Sequence, residues 1–309
     1  MHRLGLPVIL LAVSVGLVGC ATDESAPTPS ASAHRTNSSS PTASTDSSAG
    51  LAGAAVVTVS SEDTAAGNIG TNAIDGDPTT EWATGGAGAG STILLEWDAA
   101  QELGSIVLAD RASTDDHVEA GTLTFSDGST VMVPALPDDG EPIRIEFAPR
   151  SVTSVLFAID EVGPDTTDIG LSEIDAAPPQ SIAALLGVER VFADADGVVR
   201  IRPRALATVD ETDGIRLVRV ELEIEALAGT VEPTPSWFTM LGADATRYAP
   251  VEDPADDLAD PIGDALLEAG DTITGTVHFE IPSNGSGFLI GYTPDPDGEP
   301  LATWSLNAP

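Results

Sequence analysis

The sequence predicts an all-β protein, with two β-sandwich domains in series behind a signal peptide and a disordered tether. Three observations carry this. Short runs rich in Val, Ile and Leu recur along the chain with period-two alternation, as half-buried strands require. Glycine at 30 and proline at 23 punctuate those runs, which suits strands joined by turns. No long stretch repeats apolar residues at helical spacing.

The amino terminus is read first as an address. Met1–Arg3 is basic, residues 4–18 are apolar apart from Ser14, and Leu17-Val18-Gly19-Cys20 follows. The apolar run is too short to span a bilayer comfortably and matches a signal peptide, residues 1–19. Leu17–Cys20 resembles the bacterial lipobox, which implies lipidation of Cys20 and a membrane anchor on the extracytoplasmic face of the bacterial cell membrane. Cys20 is the chain's single cysteine, so no disulfide forms within one chain. Two or three acyl chains would hold the protein to a bilayer stably. Residues 20–52 are rich in Ala, Ser, Thr and Pro without apolar periodicity, and their composition predicts a disordered tether.

Strand patterns begin at Val56–Val59. They continue through residues 93–97, 105–109, 121–125, 143–147 and 154–159, with Ser126-Asp127-Gly128-Ser129 as a hairpin turn signal. Residues 53–177 are read as the first domain, and Ala176–Gln180 as a linker. Patterns resume in residues 181–309 at 184–192, 199–206, 215–226, 272–282, 287–292 and 302–306. The run Ile215–Ala226 is the plainest, with apolar and charged residues alternating throughout.

Within the first domain, Asn72-Ala73-Ile74-Asp75-Gly76-Asp77-Pro78-Thr79-Thr80-Glu81-Trp82 and Gly170-Leu171-Ser172-Glu173-Ile174 resemble the discoidin-like domains. These are also called coagulation factor type C or galactose-binding-like. That resemblance implies an eight-stranded jelly roll whose members commonly bind sugars, and some lipids or proteins. It also implies a structural Ca²⁺ site. Asp75 and Glu173 would give side-chain oxygens, Thr80 its carbonyl and hydroxyl, and Asn72, Asp77 and Ser172 carbonyls. Such a set suits a hard cation, which takes six to eight oxygen ligands. The alternative reading makes Asp75 and Asp77 simple turn formers. The candidate ligand face is Arg111, Asp115, Asp116 and His117, where the resemblance places an arginine and a polar residue that bond sugar hydroxyls. The alternative is that Arg111 pairs with neighbouring acids. Trp82 and Trp97 are read as core residues, and no aromatic near Arg111 is placed to stack on a sugar ring.

The second half resembles immunoglobulin-like domains of unknown function found in bacterial lipoproteins and secreted antigens. The runs Leu217–Ala226, Trp237–Tyr248 and Leu267–Pro282 carry that likeness, which implies a sandwich and no activity. Arg190, Arg200, Arg202 and Arg204 cluster there. They serve either an acidic partner or, as preferred here, neutralisation of the acidic stretch Glu252–Asp257 or of the other domain.

Charge narrows the partners. The chain has 12 Lys+Arg, all arginine, against 49 Asp+Glu, for a formal net charge of −37. Such a surface repels phosphate backbones and disfavours nucleic acid. The four histidines are His2, His34, His117 and His278. With Cys20 the lone cysteine, they make no zinc set. No serine-nucleophile elbow, P-loop or dinucleotide fingerprint occurs. The expectation is a non-enzymatic surface protein that binds glycan or another extracellular polymer. The alternative is a structural or scaffolding envelope protein that binds other proteins.

Overall fold

The computed structural model describes residues 50–113, 115–251, 262–263, 265–295 and 297–306. The expected signal peptide, Cys20, the expected tether up to residue 49 and the acidic stretch Glu252–Asp257 lie outside the described residues. The described chain is all-β, and Ser47–Pro309 forms one compact unit.

The strands of the first half are β1 Val56–Val59, β2 Trp82–Ala83, β3 Thr92–Ala109, β4 Val118–Phe125, β5 Thr130–Val133, β6 Ile143–Val162, β7 Gly170–Leu171 and β8 Glu173–Ala177. The runs 93–97 and 105–109 merge into the 18-residue β3, and 143–147 and 154–159 into the 20-residue β6. These two pair antiparallel along their length, with register shifts at Glu96/Gln101 and Leu103/Ser105. Bulges of this kind bend a strand, so one strand serves successive parts of a curved sheet. Segmentation in the sequence thus reflects kinks rather than turns. β4 and β5 form the expected hairpin, where Thr124 faces Thr130 across a turn in which Gly128 takes φ +86°. Side chains alternate inward from these strands to build one core around Trp82, Ile93, Leu95, Leu103, Ile106, Phe147 and Phe157.

Residues 50–52, which composition assigns to a tether, belong to the folded part. Leu51–Ala54 is a 3-10 turn, Ala52 is buried, and the Leu51 carbonyl accepts a hydrogen bond from Trp97 Nε1 at 2.8 Å. Gly50 lies so close to the Asp175 carboxylate that a Cβ would overlap it. Composition could not show this, because small residues here are held by the folded partners they meet.

The second half contributes β9 Ala184–Leu185, β10 Arg190–Ala193, β11 Gly197–Thr212, β12 Ile215–Val231, β13 Phe238–Leu241, β14 Arg247–Tyr248, β15 Leu267–Glu268, β16 Thr272–Pro282, β17 Leu289–Tyr292 and β18 Ala302–Ser305. β11 and β12 form a long hairpin flanked by β16, and β14-β13-β17-β18-β9 forms the facing sheet. Between them lies a second core, with Phe192, Phe238, Phe279, Tyr292 and Trp304 among its members.

The halves are joined through the sheet itself. β10 pairs parallel with β6, Val191 opposite Ile145 and Phe192 opposite Glu146, so eleven strands form one continuous sheet. Val191, Ala193 and Val198 pack into the first core. Across this seam the Arg190 guanidinium donates to both oxygens of Glu146, and both side chains are only 7% exposed. Of the arginine cluster, Arg190 therefore neutralises the other half. Arg200 pairs with Glu225 and Glu189, and Arg204 with Glu223, while Arg202 Nε donates to the Gly187 carbonyl.

Candidate functional site

Two groups of predicted residues fall on loops of the first half. The first follows the 3-10 turn Gly70–Ile74. Asp75 accepts from the Asp77 amide at 2.8 Å through Oδ1 and from the Thr80 hydroxyl at 2.9 Å through Oδ2. Asp77 spends its carboxylate on Thr79, amide and hydroxyl, which lowers its pKa. This is the local turn chemistry of Asx loops. The Asn72 side-chain amide donates to the Gly67 and Glu81 carbonyls. From the far end of the half, β8 brings Glu173 to the same loop. Burial pushes its pKa up to about 7, and the charges of Asp75 and Asp175 push the same way. Glu173 Oε1 is buried without a partner. The Ser172 hydroxyl donates to the Asp110 carbonyl at 2.8 Å, leaving its own carbonyl as the atom the resemblance invokes. Among the described residues no three His, Cys, Asp or Glu side chains converge as a metal group. Glu173 stands within electrostatic reach of both Asp75 and Asp175.

Trp82 closes this loop from below. Its ring is fully buried and Nε1 donates to the Ser61 carbonyl at 2.9 Å. β2 pairs with β7 so closely that a Cβ on Gly170 would stand 1.8 Å from the Trp82 carbonyl oxygen. Only glycine fits there.

The second group sits between β3 and β4. Arg111 is 13% exposed and turned inward. It donates to Glu81 Oε1 and to the Asp168 carbonyl, both at 2.9 Å, and lies 3.8 Å from Asp116 and 3.6 Å from Asp168 as ion pairs. Burial alone would lower its pKa, but the carboxylates of Glu81, Asp168 and Asp116 raise it overall. Asp116 is pushed up by burial, yet the amides of Thr167 and Asp168 and the charge of Arg111 hold it below its ordinary value. Arg111 and Asp116 thus clasp three segments together, at 81–86, 111–117 and 163–169. Asp115 stands exposed on the rim, and His117 is partly exposed beside Glu119, 3.4 Å away. Of the predicted ligand residues, Asp115 is exposed, His117 is partly buried against Gly163 with its Nδ1 unpartnered, and Arg111 and Asp116 are used internally.

Asp110 was not among the predicted residues, because a single Asp at a strand end carries no sequence signal of burial. It is fully buried and accepts the amides of Arg111 and Val118, both at 2.8 Å, closing the loop between them. Burial pushes its pKa from 3.8 up to about 6, only partly offset by those hydrogen bonds. The folded state therefore binds this proton more tightly than the unfolded chain does, so stability falls as pH rises through about 6. Relative to Asp110→Asn, the wild-type chain is expected to gain about 1–2 kcal/mol on going from pH 7.5 to pH 5. Thermal melts of both at the two pH values check this. Parallel pH profiles would remove Asp110 as the cause.

A family described as a domain of unknown function (DUF7402) matches residues 50–177. No curated protein matches the chain. Among solved structures, a pectin-binding carbohydrate-binding module is 22% identical with a TM-score of 0.34, covering 41% of this chain and 92% of its own. A family 32 carbohydrate-binding module from C. perfringens NanJ, in complex with galactose, is 15% identical with a TM-score of 0.35, covering 41% and 97%. The secreted Mycobacterium tuberculosis protein MPT63 is 20% identical with a TM-score of 0.35, covering 41% and 98%.

Proposed function

We propose that this is a non-enzymatic, lipid-anchored protein of the bacterial cell surface that binds glycan or another neutral extracellular polymer through the first, discoidin-like half. The second half, immunoglobulin-like in this reading, acts as a rigid extension. The observation that supports binding is the Arg111 clasp. It ties three segments into one polar face whose backbone is already ordered, so a ligand meeting Asp115 and His117 would cost little loop entropy. The chain's negative charge turns such a face toward neutral partners. Residues 21–309 on a glycan array, with Asp115→Ala and His117→Ala alongside, test the reading. Weakened binding in both variants is expected, since neither side chain holds the clasp. A silent array combined with specific capture of an envelope protein would favour the scaffolding alternative. Detergent partition of wild type against Cys20→Ala tests the anchor, with equal aqueous partition counting against it.

In the same reading a Ca²⁺ ion joins the loop at Asp75 to β8 at Glu173. The orphaned Glu173 Oε1 beside the Asp75 charge is a pair that a divalent cation would neutralise. Thr80 and the carbonyls of Asn72, Asp77 and Ser172 would complete the oxygens. Saturating calcium is expected to stabilise residues 21–309 by about 2–3 kcal/mol over chelator when free ion stands at roughly a hundred times Kd. Glu173→Gln should abolish the difference. Equal melting temperatures with and without calcium would discard the site.

A further inference from the structure

A second concave surface lies where the halves meet, away from the loops just described. It is a groove of about 810 Å³ between the β10–β11 turn, the segment after β12, and the loop after β17. Its floor includes Trp237 and Tyr292, whose rings meet edge to face at 5.8 Å. Trp237 is half-buried, whereas Trp82, Trp97 and Trp304 are buried in the two cores. It packs against the second core yet stays partly exposed where it lines the groove.

The lining is of one sign. Asp194, Asp196, Glu232 and Asp295 border the groove, and neither arginine nor lysine does so among the described residues. Asp194 and Asp295 each use one oxygen on nearby amides. The Asp196 and Glu232 carboxylates make no hydrogen bond or ion pair with a described residue. This contrasts with the seam beneath, where Glu146 is taken by Arg190. Tyr292 gives a further, independent sign of a ligand. Its side chain lines the groove and the residue is only 4% exposed, yet its hydroxyl has no hydrogen-bond partner among the described residues. The oxygen is not sealed in the core, so it stands open to a ligand group that enters the groove.

We propose that this groove binds a ligand bearing a protonated amine, held over the Trp237 face and among the four carboxylates. The physical reason is the pairing of an aromatic quadrupole with surrounding negative charge, which attracts an organic cation and repels anions. An amine of this kind could come from a polyamine or from an amino-sugar oligomer, and the ligands of the test separate the two.

The test is isothermal titration of residues 21–309 at about 0.15 M salt, where diffuse attraction to a highly charged chain is largely screened. The probes are spermidine, a glucosamine trimer, and the N-acetylated form of that trimer. At least one amine probe is expected to bind and the N-acetylated trimer not to. Binding by spermidine alone assigns a polyamine, and by the glucosamine trimer an amino sugar. Trp237→Ala should weaken the interaction by roughly tenfold. Asp196→Asn with Glu232→Gln should do the same, and this pair keeps the test open should Trp237→Ala fail to fold. Glu96→Gln with Glu102→Gln removes equal charge from exposed positions in the first half and should leave affinity unchanged. The proposal is overturned if neither amine binds, if the N-acetylated trimer binds equally well, or if the control pair weakens binding as much as the groove pair.

Discussion

Replacing Glu146 by alanine is expected to cost about 3–5 kcal/mol, because it strands the Arg190 guanidinium in a buried seam. Both side chains are 7% exposed, and the pair spans the β6–β10 junction that makes one sheet of the two halves. Burial already raises the Glu146 pKa despite Arg190, so much of the Coulombic gain repays desolvation. The double variant Glu146→Leu with Arg190→Met should accordingly recover most of the loss, since an apolar pair leaves no buried charge unmatched. Denaturant unfolding of the three variants checks both statements. A Glu146→Ala cost below about 1 kcal/mol would mean that the seam admits water and the pair behaves as a surface bridge.

Trp82→Ala is expected to cost about 3–5 kcal/mol through lost burial and the cavity left behind. The side chain is fully buried, its indole N–H is matched by the Ser61 carbonyl, and its backbone pairs with Leu171. Because Trp82 lies directly after the loop that carries Asp75, Asp77 and Thr80, the variant should also lose the calcium-dependent rise in melting temperature. Trp82→Phe should keep most of the stability and much of that response. If Trp82→Ala melts like wild type, the β2–β7 pairing does not anchor the loop.

Local physics made much of this chain readable as sequence. Alternation in Ile215–Ala226 reports a strand because successive side chains point to opposite faces, and β12 runs through that stretch. The Asp127-Gly128 turn is legible because only a residue tolerant of positive φ closes so tight a hairpin. The composition of residues 50–52 misled, because small residues are equally at home in a tether and in close packing.

What the tertiary structure decided depends on residues far apart in the chain. Arg111 could face a ligand or its neighbours, and the choice rests on Glu81 and Asp168, which lie 30 and 57 positions away. The Glu146–Arg190 pair and the sheet shared by both halves arise from a contact 44 positions apart. Trp237 carries no sequence mark that separates a core residue from a groove floor, and its acidic surroundings come from three segments. The sequence by itself determined the strands, the turns and the sign of the surface, because period, φ preference and charge are local properties. The joining of the halves, the inward turn of Arg111 and the groove at their junction were decided only by the fold, because burial and pairing belong to the partners a side chain meets.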